Sequence, residues 1–576
     1  MRLPLLFLLV FTNTIVFAQT TDIEKVFSDI ETIYKQYNTE NENKEQPSRY
    51  SYLTVAQYKE RAGLLREQAE ILEKISSEKL THQQNISKEI MLMKLKNELS
   101  FVDYQIFFMP FNSEGGFYNH PVFILNKFPF ASKKDYENYF DWLAGYTQYI
   151  EHNIQLLKQG IEEKVMRPKV VVKNTLNLME LWIDTDIDKN PFYQPFKKIP
   201  ATINQEERKQ LQEKGKTIIS AKILPVYKKL YNFFEEEYLP SAPSQTGIKH
   251  IKKGKAYYED RVKFYTTLNI TPDSVFNLGM KEVKRIRNRM DTIISDLNFK
   301  GTFNDFIIFL RTDRQFYAKT PMELLSRAAW LSKKSEGELP SLFKKLYELP
   351  FTVKPVPEEI APNYTAGRYV PGNMKKGTPG IYWVNTHNLP SRPLYNLPAL
   401  TLHEAVPGHH LGITIARELN DIPDFRKNYY ISAYGEGWGL YAEFLGEEMN
   451  MYTTPYELFG RFTYEMWRAC RLVVDVGIHY KDWTREEAVN FLADNTALSL
   501  HEVNTEIDRY IGWPGQALSY KMGEITIKQL REKADKKLRK AFDIKDFHEV
   551  ILKNGAVTLP VLSQEVENYI NNRLTR

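Results

Sequence analysis

Cysteine is all but absent. The only one, Cys470, can close no internal disulfide, so a packed core and not cross-links must hold the fold. Long apolar runs are missing beyond the N-terminus. No later stretch offers the ~20 apolar residues that a membrane-spanning helix needs. An excess of one charge is missing as well. With 77 basic and 72 acidic side chains the net charge is +5, which makes no case for nucleic-acid binding, and the basic runs read as solvated faces. No repeat of about 20–50 residues is evident, and no Gly/Ser-rich linker divides the chain. Histidine is scarce, with 11 in 576 residues, so a cluster of them carries information.

The first feature present is an export signal. Arg2 precedes an apolar run from Leu3 to Val10 that resumes over Ile15–Phe17, and Val16-Phe17-Ala18 offers a cleavage pattern before Gln19. Residues 1–18 thus read as a signal peptide, and the mature protein is expected in the periplasm or secreted. No cysteine follows the run, which argues against a lipid anchor.

Helical periodicity dominates the rest. Val55, Tyr58, Ala62, Leu65, Ala69, Leu72 and Ile75 recur at three-to-four spacing, as do Ile86, Ile90, Met93, Leu99 and Val102. Thr271-Pro272, Thr320-Pro321 and Thr454-Pro455 each pair a cap residue with proline at the first helical position. Thr484 with Glu487 forms a capping-box pattern. Only residues 348–399, rich in proline, suggest strands, at Phe351–Val356 and Gly380–Asn385. The expected architecture is mainly α with a small sheet. An N-terminal helical subdomain is placed at 19–270 and a catalytic, metal-binding subdomain at 271–576.

The most concentrated chemistry lies in Leu402-His403-Glu404-Ala405-Val406-Pro407-Gly408-His409-His410. Zinc hydrolases with an H-E-x-x-H motif place two histidines four apart on one helical face, with the glutamate as base. Here proline occupies the position of the second histidine. Two nitrogens on one zinc lie roughly 3.3 Å apart. On an unbroken helix His409 would point nearly opposite to His403, and His410 would share its face about 10 Å further along. Pro407 removes a backbone donor and clashes with the preceding turn, and Gly408 tolerates unusual dihedrals. The helix is therefore expected to bulge between Val406 and Gly408, which would return one of the two histidines to His403. Downstream, Tyr434-Gly435-Glu436-Gly437-Trp438-Gly439 places a carboxylate among three alternating glycines, and Glu443 follows seven residues after Glu436. A lone His-Glu pair means little: His501-Glu502 has no second histidine in reach.

Gly408-His409 resembles the Gly-His pair of the H-E-x-G-H motif in thimet-type oligopeptidases and Taq-type carboxypeptidases, with two residues inserted. The full H-E-x-x-P-G-H-H form is similar to a large bacterial family known as a domain of unknown function with zincin-like character. This resemblance implies a zincin-like helical metallopeptidase fold, with a strand beside the metal helix. It implies zinc held by His403 and His409, with Glu404 as general base and His410 as the alternative ligand or a neighbour of the site. The spacing of Glu436 from His409 is similar to that of the ligand glutamate in those peptidases, which makes Glu436 the third ligand and Glu443 its support. Those enzymes use downstream tyrosine and histidine on the oxyanion, for which Tyr520 and His479 are the candidates here. Ile381–Asn385 is the candidate peptide-holding edge strand, with Tyr382 and Asn385 on it; a core hairpin is the alternative. Arg509 or Lys521 could pair with a peptide carboxylate or form a structural salt bridge. Two histidines and one glutamate leave a zinc position open to water, which favours catalysis over a structural ion. The expected function is hydrolysis of short peptides. A metal-dependent hydrolase of other amides or esters, and a peptide-binding protein with a structural metal, remain as alternatives.

Overall fold

A computed structural model describes residues 22–37, 52–119, 125, 128–358 and 360–575. The expected signal peptide lies outside these residues. The described chain is mainly helical with small sheets, and none of its helices is long and apolar enough to cross a membrane.

The first helix, α1 (Asp22–Tyr37), buries Ile23, Val26, Ile30 and Ile33 along one stripe. The two periodic runs after residue 53 form two helices, α2 (Val55–Lys74) and α3 (His82–Asp103), each opened by a threonine–glutamine capping box. They pack antiparallel across a short turn. After α4 (Lys133–Glu163) and shorter helices, Thr271 caps α5 (Pro272–Asp296) and Thr320 caps α6 (Pro321–Leu342). Both buried hydrophobic clusters draw residues from either side of position 270.

The sheet beside the site has three strands: β1 (Phe351–Pro355), β2 (Gly367–Val370) and β3 (Gly380–Val384), in the spatial order β1-β3-β2. β1 runs parallel to β3, and β2 antiparallel to it. The expected edge strand, Ile381–Asn385, is thus the central one, hydrogen-bonded on both sides and unable to accept a further strand. Its edge neighbour β2 was hidden because Gly367-Arg368-Tyr369-Val370 shows no clear alternation.

The metal-motif segment forms α7 (Leu397–Glu404) and α8 (His409–Glu418), separated by a break. Then come α9 (Ser432–Glu448), α10 (Pro455–Tyr480), α11 (Leu500–Gly512) and α12 (Ser519–Leu538). Two close approaches lock this core. A Cβ on Gly523 of α12 would fall 1.9 Å from the Ala433 carbonyl oxygen, and one on Gly437 of α9 would fall 2.5 Å from the Gly523 Cα. The two helices therefore touch backbone to backbone. Behind them, Lys521 of α12 is fully buried and bonds Glu465 of α10 at 2.7 Å, Glu524 at 2.7 Å and Glu282 of α5 at 3.2 Å. Arg461 joins the same Glu465 at 2.5 Å. Such a network is costly to break singly, because a buried ion loses its compensation.

Gly523→Ala should destabilise the protein by roughly 2–4 kcal/mol, since a backbone atom blocks the added methyl. Gly63→Ala on α2, where nothing lies within 4 Å, should instead be neutral or stabilise by up to ~1 kcal/mol. Urea unfolding of the pair checks this; equal midpoints would contradict the helix contact.

Candidate metal centre

The break between α7 and α8 decides the site. Ala405 leaves helical geometry (ψ −115°), Val406-Pro407 is cis, and Gly408 is again non-helical (ψ −126°) before α8 begins at His409. A Cβ on Gly408 would lie 2.0 Å from the His403 carbonyl oxygen, so only glycine lets the chain fold back this tightly. The fold-back brings the His403 and His409 rings to 4.6 Å between centroids, nearly perpendicular at 89°.

Helix α9 crosses beneath and supplies the carboxylates. A Cβ on Gly439 would meet the His403 ring at 2.7 Å, so the ring lies directly on the α9 backbone. Glu436 Oε2 is 3.4 Å from His403 Nε2 and 3.4 Å from His409 Nε2. One atom from each of these three residues lies within 4.8 Å of the others, a geometry that could hold a metal ion. Glu443, two turns further, accepts the His403 Nδ1–H at 2.8 Å. That bond fixes the ring's orientation and turns Nε2 toward Glu436. Arg468 stands 3.5 Å from the same Glu443 oxygen, and the Tyr430 hydroxyl donates to Glu436 Oε1 at 2.9 Å.

The electrostatics call for a cation. Burial alone would lower the His403 pKa, yet Glu436 and Glu443 raise it to about 9. Burial would raise the Glu436 carboxyl, but His409 and His403 hold it well below the usual range. A bound ion would meet the same demand. Two imidazoles and a carboxylate are a donor set that suits zinc, with a coordination position to spare.

The cluster lies in a cavity of about 390 Å³. Glu404 also lines it, and Glu404 Oε2 accepts the backbone N–H of Tyr369 at 2.7 Å. Residues 365–369, including the free edge of β2, form one wall, and Tyr430, Tyr520, Arg468, Arg471 and Arg509 contribute to others.

Other candidates fall elsewhere. His410 turns away: its Nδ1 pairs with the Tyr369 hydroxyl at 2.9 Å and its ring packs on Tyr347 and Phe351, outside the cluster. His479 is fully buried, with Nδ1 accepting from the Ile248 N–H at 3.0 Å and Nε2 donating to the Tyr510 carbonyl at 2.9 Å; both nitrogens are occupied and neither meets the cavity. Lys521 belongs to the buried ion network, because one residue after Tyr520 a helix faces the other way. Tyr382 is buried with its hydroxyl 3.3 Å from Thr401, and the Asn385 amide donates to the carbonyls of Ala361, Tyr364 and Thr365. Tyr382 ties the sheet to α7, and Asn385 braces the loop that leads into β2. Tyr520 and Arg509 do line the cavity, although Arg509 is tied to Glu506 and to Gln516. Sequence reading missed the Tyr369 N–H, Tyr430, Arg468 and Arg471. The two arginines had a signal, at three-residue spacing on a helix whose other residues are mostly apolar; Tyr430 and the Tyr369 N–H had none.

The fold and this geometry define a mainly helical protein with a candidate two-histidine, one-glutamate metal centre inside a cavity. The chain belongs to the DUF885 family, bacterial proteins of unknown function, whose model matches residues 39–566. It is similar to a crystal structure described as "the putative lipoprotein from Colwellia psychrerythraea", at 26% identity and TM-score 0.85 over 96% of this chain and 97% of that one. A structure described as "a putative lipoprotein of unknown function" from Shewanella oneidensis shares the fold at 16% identity and TM-score 0.69, over 94% of this chain and 98% of that one. No curated protein matches the chain.

Metal analysis of the purified protein by mass spectrometry should find about one zinc per chain. His403→Ala and Glu436→Ala should each abolish it, and His410→Ala should keep it. Retention in His403→Ala, or loss in His410→Ala alone, would contradict the ligand set.

Two buried histidines remote from the cluster also set a pH dependence. Burial lowers His479 to about 4 and His548 to about 3, against ~6.5 in the unfolded chain. Below pH ~6.5 the unfolded state takes up protons that the folded state refuses, so stability present at neutral pH is lost as the pH falls toward 4, on the order of 3 kcal/mol per histidine. The unfolding temperature measured from pH 7 to 4 should drop, and His479→Gln should flatten the curve.

Proposed function

We propose that the protein is an exported zinc-dependent peptidase acting on short peptides, with a zincin-like arrangement of metal helix and edge strand. The observation that carries this reading is the convergence of His403, His409 and Glu436 in a cavity that Glu404 also lines. Three protein ligands with a position left open are the pattern of hydrolytic rather than structural zinc. A cavity of about 390 Å³ suits a few residues of substrate and excludes a folded protein. Export is supported by the N-terminal signal pattern and by the lipoprotein description of the Colwellia relative.

Zinc in this site would supply a water acidified toward a pKa of ~7 and a Lewis acid for the scissile carbonyl. The chain supplies the rest. Glu404 takes the proton of the attacking water and passes it to the leaving amine, the general-base and general-acid work of a single carboxylate. The Tyr369 N–H holds one Glu404 oxygen at 2.7 Å and so aims the other. The outer edge of β2 pairs with the substrate main chain as an added strand would. The Tyr520 hydroxyl donates to the oxygen on which negative charge develops, a contact worth several kcal/mol in comparable sites. Burial keeps this phenol protonated by raising its pKa. Tyr430 fixes the second Glu436 oxygen, so that the ligand carboxylate cannot rotate away.

Glu404→Gln should keep about one zinc per chain and lose at least ~100-fold of turnover on a panel of fluorogenic short peptides. Undiminished turnover would remove the role of Glu404. A zinc-loaded protein that ignores every peptide but hydrolyses simple amides or esters would replace the substrate class.

A further inference from the structure

Arginine is concentrated on the cavity wall beside Tyr520, and its donors can be followed one by one. Arg509 spends Nε and Nη2 on Glu506 and Nη1 on Gln516. Arg468 uses Nη1 on the Tyr464 carbonyl and holds Nη2 3.5 Å from Glu443, and its inner nitrogen Nε, beside the aliphatic stem, is buried without a partner among the described residues. Arg471 gives Nε to the Tyr510 hydroxyl at 2.7 Å and Nη2 to Glu506 at 2.9 Å. Its remaining nitrogen, Nη1, is buried and has no hydrogen-bond partner among the described residues. The side chain is only 3% exposed. A buried guanidinium edge without a partner is costly, and an anionic ligand would remove that cost.

The guanidinium is also held in place. Its Cζ lies 4.3 Å from the Trp467 ring and 4.2 Å from the Tyr520 ring. Two aromatic contacts and two hydrogen bonds fix its orientation before any ligand arrives, which lowers the entropy lost on binding. Charge favours an anion as well. Arg471 and Arg509 share one carboxylate, Glu506, which leaves a positive charge over. Glu502 lines the same wall, and burial raises its carboxyl to about 7, so it is only partly charged at neutral pH.

The position relative to the metal centre selects the anion. The Tyr520 ring lies 4.2 Å from the Arg471 Cζ and stacks 6.4 Å from the His403 ring, so these two distances together bound the separation of the guanidinium from the cluster. An extended peptide advances about 3.3–3.6 Å per residue; once a hydrogen bond of about 2.9 Å at the arginine and a metal–oxygen bond of about 2 Å at the other end are taken off, one or two residues bridge what remains. The one anionic group that every short peptide carries at that distance from a bond near its end is the terminal carboxylate.

We infer that Arg471 anchors the C-terminal carboxylate of the substrate through Nη1, so that the enzyme removes one or two residues from the C-terminal end. This rests on the peptidase reading, but its test does not need turnover. Binding of N-acetyl-trialanine with a free carboxylate, and of the same peptide with a C-terminal amide, is measured calorimetrically on the zinc-loaded Glu404→Gln protein. The free acid should bind at least tenfold more tightly. The difference should vanish in Arg471→Gln, and Arg471→Lys, which keeps an ammonium for Glu506, should lose most of it while folding normally. Equal affinity of acid and amide on the unsubstituted wall, no binding of either, or a difference that survives in Arg471→Gln would overturn the assignment. Preference for an amidated peptide ending in glutamate over the free acid would also overturn it, in favour of an acidic side chain. Failure of the wild type to hydrolyse any peptide, with the acid–amide difference intact, would instead count against the peptidase reading alone.

Discussion

Two imidazoles six residues apart can meet one ion only if the helix between them is interrupted, and everything else in the site follows from that constraint. Gly408 supplies the interruption, because its missing side chain lets the chain run against the His403 carbonyl. The return of His409 then defines a point in space, and α9 must pass within reach of it. It does so by placing Gly439 under the His403 ring and Glu436 beside both Nε2 atoms. Glycines in this chain mark where a ring or a backbone has to come close, more than where the chain has to bend.

A second layer keeps these parts from drifting. Glu443 orients His403 and is itself approached by Arg468 of α10, while the Lys521 cluster ties α12, α10 and α5 together below. The ligands, the aromatic wall and the arginines thus sit on helices fastened by buried charge, and the sheet edge is the one wall of the cavity built from extended chain. Several of the buried ions lie beside a countercharge that offsets part of the cost of burial, whereas Arg471 and Arg509 share the single carboxylate of Glu506.

Much of this was legible beforehand, and the parts that were not share a cause. The cap signals at Thr271, Thr320, Thr454 and Thr484 act through local backbone geometry, so helix starts could be read directly. The Pro407-Gly408 break could be derived because a proline removes a helical hydrogen bond wherever it stands and a glycine permits dihedrals that other residues avoid. Glu436 was reached through the resemblance, by its spacing from His409 and its glycine-flanked setting. Tyr382, Asn385, His479 and Lys521 misled because residue type and nearness in sequence do not say which way a side chain faces. His479 shows the limit well: a histidine on a site-forming helix that satisfies two main-chain groups and goes no further. The edge position of β2 could not be read at all, since strand order is set by pairing between distant segments and not by the pattern within any one of them.

The backbone contact between Gly437 and Gly523 has a consequence for how such a site could diverge. One helix bears the carboxylate of the cluster and the other bears Tyr520, three residues from the contact. With no side chains between them, neither helix can slide or rotate without the other. New specificities cannot arise by repacking this pair, which behaves as a fixed chassis. Variation is open instead to the strand edge and to residues 360–366 that lead into it. Related chains with different preferences should therefore differ in that loop while keeping the two helices superimposable.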